Sequence, residues 1–170
     1  MFTLQTPRLR LREMSMEDAD SLLGIFSDPV AMQFYPSTKD RTETEGWIQW
    51  KLNSYQQHGH GLWLAELTKT GEFAGQCGLI VQEVEGQREI EIGYLFLRKF
   101  WGQGLATEAA IASREYAFLN LKLRRVISLI DPANIASIRV AEKNGMRLEK
   151  IIEKWEKIVG VYAVESTMDI

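Results

Sequence analysis

The segment Lys99-Phe100-Trp101-Gly102-Gln103-Gly104-Leu105-Ala106-Thr107-Glu108 places two closely spaced glycines just ahead of an alanine-rich run. Glycine lets the backbone approach a ligand closely, and the first N–H groups of a helix lack intrahelical acceptors. A strand-to-helix bend of this composition is an anion cradle suited to a pyrophosphate, although paired glycines also serve plain tight turns. Two better-known phosphate loops do not fit. A Walker A loop needs Gly-Lys-Ser/Thr after four spacer residues, which Gly102-Gln103-Gly104-Leu105 lacks. A dinucleotide fingerprint needs a third glycine where Thr107 stands, and it opens the first βα unit of its domain.

Other residues able to do chemistry are fewer. Glu89 and Glu91 stand two apart and share one strand face. Such carboxylates serve acid–base work or ordinary strand hydrogen bonding. Asn134 follows the turn Asp131-Pro132-Ala133 as a natural helix N-cap. His58 and His60 lie in a glycine-rich loop without cysteine partners and read as turn residues, so no metal is expected. Cys77, in an apolar strand, reads as a small core residue. As the single cysteine it excludes an internal disulfide and any multi-cysteine metal site.

The elements that must position these residues follow from periodicity. Arg8–Arg12 alternates, which predicts a first strand with leucines inward and arginines outward. Ser15, followed by Glu17 and Asp18, opens a helix that carries Leu22, Leu23 and Phe26 and ends near Asp28-Pro29. A second helix is predicted from about Thr42 to Gln57, stopped by His58-Gly59-His60-Gly61. Leu62–Leu67, Ala74–Val81 and Glu89–Leu97 read as an antiparallel meander with turns at 69–72 and 85–88. A helix over Leu105–Leu119, a buried strand at Arg125–Ile130 and a helix over Asn134–Asn144 with Gly145 at C′ come next. Strands at Glu149–Lys157 and Val161–Met168 close the chain. The order βααβββαβαββ predicts a mixed α/β fold: a mostly antiparallel sheet with a parallel central pair and helices on both faces. The expected organisation is one domain over residues 1–170.

Composition narrows the function classes. The 170 residues are 45% hydrophobic and 25% charged, which is globular. Twenty Lys+Arg against 23 Asp+Glu give a net charge of −3, which disfavours nucleic acid as a partner despite Arg8, Arg10, Arg12, Lys122, Arg124 and Arg125. No apolar run approaches the length of a membrane span, and residues 1–7 lack the pattern of a signal peptide, so a cytoplasmic location is expected.

Lys99–Gly104 resembles the Gln/Arg-x-x-Gly-x-Gly/Ala acetyl-CoA loop of the GNAT N-acetyltransferases. Glu91-Ile92-Gly93-Tyr94, Trp101–Ala109, Asn134-Ile135-Ala136-Ser137 and Glu142-Lys143-Asn144-Gly145-Met146 are similar to the RimJ/RimL-type branch. That branch includes acetyltransferases of ribosomal-protein N-termini. Thr6–Arg12 and the element order fit as well, so the resemblance spans nearly the whole chain.

The resemblance implies a set of roles. Acetyl-CoA would lay its pyrophosphate on the amides of Gly102, Gln103, Gly104, Leu105 and Ala106, with Thr107 adding a hydroxyl. Lys99 departs from the family's Gln/Arg, which leaves backbone donation intact but not a planar side-chain contact. The pantetheine arm would pair along Leu95-Phe96-Leu97, where the family carries a β-bulge that splays the parallel strands, and an N–H near Leu97 would hold the oxyanion. Glu91 is implied as the base for the acceptor amine. Asn134 would contact pantetheine or substrate, and Ser137 would protonate the departing thiolate. The tyrosine that many family members use as acid has Ala141 in its place. Phe34, Tyr35 and Tyr162 would border the acceptor pocket. The function implied is acetyl transfer to a primary amine, on a protein N-terminus or a small molecule, by direct attack in a ternary complex. A non-catalytic acyl-CoA-binding regulator of the same fold is the alternative. Edge strands can also pair between copies, so a homodimer is an expectation.

Overall fold

The computed structural model describes residues 2–167. Eight strands form one sheet in the order β1-β2-β3-β4-β5-β6-β8-β7. They are β1 (Thr3–Gln5), β2 (Leu9–Arg12), β3 (Leu62–Leu67), β4 (Phe73–Val84), β5 (Gln87–Phe96), β6 (Arg125–Ile130), β7 (Arg147–Lys154) and β8 (Lys157–Glu165). Every neighbouring pair is antiparallel except β5–β6. Helices α1 (Ala19–Phe26) and α2 (Arg41–His58) cover one face, whereas α3 (Leu105–Leu119) and α4 (Ile135–Lys143) cover the other.

The alternation at Arg8–Arg12 does what its pattern predicts. Leu9 and Leu11 are fully buried against α3's side of the sheet, beside Trp63 and Cys77. The arginines face the other way: Arg12 holds Asp18 at 2.7 Å, and Arg10 and Arg12 both engage Glu66. The helix opened by Ser15 starts as a 3-10 turn over Met16–Asp18 before α1. Helix α2 is fixed at both ends. Asp40 and Glu43 exchange backbone-to-carboxylate hydrogen bonds of 2.8 Å, a capping box, and Gly59 ends the helix at φ 72°.

Three differences from the sequence reading have physical causes. Strand β1 is only three residues long, too short to show a period. Strands β4 and β5 run longer than predicted because Glu85 (φ 50°) and Gly86 (φ 78°) make a two-residue turn that lets Val84 pair with Gln87. The final hairpin turns at Trp155 (φ 55°) and Glu156 (φ 59°), two residues with no turn signature, so the predicted strand through Lys157 overran the bend. The reading of a strand to Met168 extends beyond the described residues, and β8 ends at Glu165. No helix among the described residues is long and apolar enough to cross a membrane.

Candidate active site

Strands β5 and β6 separate almost as soon as they meet. Their parallel register is Glu91↔Ile127, beyond which β5 continues to Phe96 paired with β4. At the fork, the Ser128 hydroxyl donates to the Ile92 carbonyl at 2.8 Å, substituting for a ladder bond. The expected bulge is absent from the β4–β5 register, which runs without a shift from Gly75↔Phe96 to Val84↔Gln87. The splay arises from β6 leaving, not from an extra residue in β5. The oxyanion assignment, an N–H near Leu97, narrows to a single residue. The Leu97 N–H donates to Ala74 O at 2.9 Å and is spent on β4. Strand alternation turns the N–H of Phe96 towards the fork instead. The Phe96 carbonyl is held by the Trp101 indole N–H at 2.9 Å.

The cradle follows directly. A 3-10 turn at Arg98–Phe100 leads into Gly102 (φ 74°) and Gly104 (φ 78°), and Gly104 is the N-cap of α3. A left-handed backbone at both positions demands glycine. Two of the loop's carbonyls are occupied: Arg8 Nη1 donates to Gln103 O at 2.8 Å and Gln103 Nε2 to Lys99 O at 3.1 Å. Its amides are not: among the described residues none accepts from the backbone N–H of Gly102, Gln103, Gly104, Leu105, Ala106 or Thr107. Nothing lies within 4 Å of where a Cβ on Gly102 would stand. Six donors at the N-terminus of a fifteen-residue helix fit a diphosphate. The two cations at the mouth are already paired, Arg98 with Asp28 and Lys99 with Glu72. Thr107 sits in the first turn of α3 and lines a groove of about 520 Å³ between that helix and residues 4–7. The sequence reading missed Arg8, which Glu108 grips at 2.6 Å while Glu108 also accepts from Thr6 at 2.6 Å. Its signal was Thr6-Pro7-Arg8 itself.

Glu91 lies under α2 on the opposite sheet face from α3, and is 8% exposed. Its carboxylate accepts from Gln82 Nε2 at 2.7 Å. Burial pushes it up to about 7, against the opposing pull of Gln82, the Leu129 N–H, Lys51 and Lys154. Tyr35 is brought near it: although the residue is 45% exposed, desolvation of its hydroxyl and the Glu91 charge push Tyr35 up to about 12. Phe34, next to it, gives its carbonyl to Lys157 Nζ at 2.8 Å. Glu89 shares the face but is tied to Arg125 at 3.1 Å. Tyr162 does not join this group. It pairs with Ser128 and is buried in the core on the α3–α4 face, across the sheet from Glu91.

At the start of α4, Asn134 Oδ1 caps the helix by accepting from Ser137 N at 3.2 Å. The Ser137 carbonyl accepts from the Tyr94 hydroxyl at 2.8 Å, so Tyr94 braces α4 across the fork. Burial drives the Tyr94 phenol well above its usual range, which makes it a brace rather than an acid. The Ser137 hydroxyl keeps no such tie among the described residues. Cys77, beside Ser113 and pushed up by burial to about 12, is inert core. Lys51 was missed altogether, although Thr44, Ile48 and Lys51 fall on one helical stripe and all three are buried.

A splayed parallel pair with a bare-amide helix start at its mouth and a buried carboxylate beneath defines an acyltransferase scaffold. The family described as "Acetyltransferase (GNAT) domain" matches residues 8–147, and this chain belongs to that family. It is 46% identical to the uncharacterized protein YkkB of Bacillus subtilis (strain 168) over 164 residues, covering 96% of this chain and 95% of the relative. It is 34% identical to the uncharacterized N-acetyltransferase p20 of Bacillus licheniformis over 163 residues, covering 94% and 90%. Its fold superposes on RimL, the ribosomal L7/L12 alpha-N-protein acetyltransferase solved in complex with coenzyme A. The TM-score is 0.79 at 19% identity, with 96% of this chain and 98% of that one covered. The protein is an acetyltransferase of that family.

Proposed function

We propose that this enzyme takes its acetyl group from acetyl-CoA and gives it to a primary amine, on a protein N-terminus or a small molecule, within a ternary complex on one domain. The observation that carries this reading is the row of unaccepted amides from Gly102 to Thr107, opening beside the fork between β5 and β6. Bound there, acetyl-CoA supplies an activated thioester. The chain supplies the rest. The loop amides fix the diphosphate, and the outer edge of β5 offers backbone groups for the amides of the pantetheine arm. The Phe96 N–H is aimed where negative charge develops on the acetyl oxygen. Glu91, poised near 7, takes a proton from the acceptor ammonium, directly or through water. Ser137 returns a proton at the sulfur. An α-amine costs only about 1 kcal/mol to deprotonate at neutral pH and a lysine nearly 5, so a carboxylate tuned near 7 favours the former. RimL, as its name states, acts on the alpha-amine of a ribosomal protein, which supports that acceptor class here.

Thiol release from acetyl-CoA, screened over N-terminal peptides, amino acids, polyamines and aminoglycosides, tests the reading. Acceptor-dependent release is expected. Failure to bind acetyl-CoA by calorimetry rejects it.

A further inference from the structure

Lys51 occupies an unusual place for a lysine. It is 2% exposed, on the buried stripe of α2, and lines a cavity over β4 with Ile80, the residue that pairs with Glu91 on β5. Its Nζ stands 3.2 Å from the Trp50 ring centroid and 4.1 Å from that of Trp47. It makes no hydrogen bond or contact ion pair with any described residue. The two indoles are themselves fixed. Trp47 donates to Gln76 Oε1 at 3.2 Å, lies edge-on to Phe26 at 5.5 Å, and meets Trp50 edge-on at 5.2 Å. Two π faces stabilise an ammonium without taking its protons.

We propose that Lys51 is a positioning residue for acetyl transfer: held by Trp47 and Trp50 rather than by an acceptor oxygen, it sets the charge state of Glu91. The proposal rests on Glu91 being the base. A contact salt bridge would pin Glu91 as a carboxylate and make it a poor base, whereas no cation at all would leave a buried carboxyl protonated. An ammonium held off on aromatic faces gives the intermediate case. Burial lowers Lys51 to about 7, with the Glu91 charge opposing, so both groups change charge in the same pH range. The other groups around Glu91 do not supply this balance. From β4, Gln82 is neutral, and from β6 the Leu129 N–H is a fixed dipole while Arg125 is shared between Glu89 and Glu149. From β7, Lys154 is bonded to the Glu83 carbonyl and keeps its charge, but its pull on Glu91 ranks behind that of Lys51. From β5, Glu89 is held by Arg125, and Tyr94 faces α4. In the stretch between α1 and α2, Tyr35 stays neutral and Lys39 lies 5.6 Å from the outer Trp47 ring.

The experiment is a pH titration of the Glu91 side-chain carboxyl by ¹³C NMR in the ligand-free protein. It is paired with the pH dependence of kcat/KM for thiol release. Lys51→Met removes the charge at similar volume, and the carboxyl midpoint should rise by about half a unit or more, with the acid limb of kcat/KM following it. Lys51→Arg should restore both. Trp50→Leu, at a half-exposed position, should move the midpoint in the same direction and serves if the methionine variant does not fold. An unmoved carboxyl midpoint in Lys51→Met and Trp50→Leu overturns the proposal. Full activity in Glu91→Gln instead overturns the reading of Glu91 as base, and the two failures are thereby told apart.

Discussion

Glu91 is ordinary in sequence and exceptional in place. A strand carboxylate with a glutamate neighbour is usually solvated, yet β5 delivers this one beneath α2 with a single side-chain hydrogen bond, from Gln82. A base must be ionised to act, so kcat/KM should rise with pH through about 7 and level off above it. Glu91→Gln should lower kcat/KM by about 10²-fold near neutrality and abolish that limb, as read by a pH series of thiol release. The resemblance to GNAT enzymes pointed to Glu91, and strand periodicity placed Glu89 beside it. No local pattern told that Glu89 is neutralised by Arg125 while Glu91 is not, because Arg125 lies 34 residues away or more and meets Glu89 only through sheet pairing. Lys51 was equally hidden, since a charged residue in a helix is by habit assigned to the solvent face.

Among elements, the bend into α3 was the most legible and the final hairpin the least. Gly102 and Gly104 announced left-handed backbone, and both adopt it. Gly104→Ala forces a Cβ into that region at a cost of about 1–2 kcal/mol, with the Arg8 guanidinium 3.4 Å from the new atom. Weakening of acetyl-CoA binding by about tenfold or more is expected by calorimetry, because the loop must shift the amides that hold the diphosphate. Trp155 and Glu156 carry the same left-handed geometry without glycine, which is why no turn was read there. Replacing them with Asn and Gly should therefore stabilise the protein by about 1 kcal/mol in urea unfolding, with no change in register between Lys154 and Lys157. The fork between β5 and β6 belongs to this scale too. It depends on one bridge ending and a serine hydroxyl taking over, a tertiary event with no local signature.

Across the whole molecule, opposed charges make stability a sum of terms with opposite pH slopes. Glu91 is raised, so its contribution is fully present below its ordinary value of 4.5 and is lost as pH rises through about 7. Lys51 is lowered, so its contribution is present above 10.5 and is lost as pH falls through about 7. The two windows meet at pH 7: from 7 down to 4.5 only Glu91 contributes, and stability rises as pH falls, whereas from 10.5 down to 7 only Lys51 contributes, and stability falls. Asp18, Glu66 and Glu108 behave differently. Burial would raise each, but hydrogen bonds from Arg12, from Arg10 and Arg12, and from Thr6 and Arg8 hold them low. Their stabilisation is present above ordinary carboxylate values of 3.8 and 4.5 and disappears as pH falls below them. These three pairs join β2 to the turn before α1, to β3 and to the cradle helix, so acid should loosen the whole sheet edge together. The melting temperature should thus rise as pH falls from 7 to 5 and drop below about pH 4. In Glu91→Gln only the Lys51 slope remains, and it lies above pH 7, so that variant should stay nearly level from pH 7 to 5, without the parent's rise. Equal slopes for parent and variant between pH 7 and 5 in a pH series of thermal unfolding would show that Glu91 does not titrate in that range.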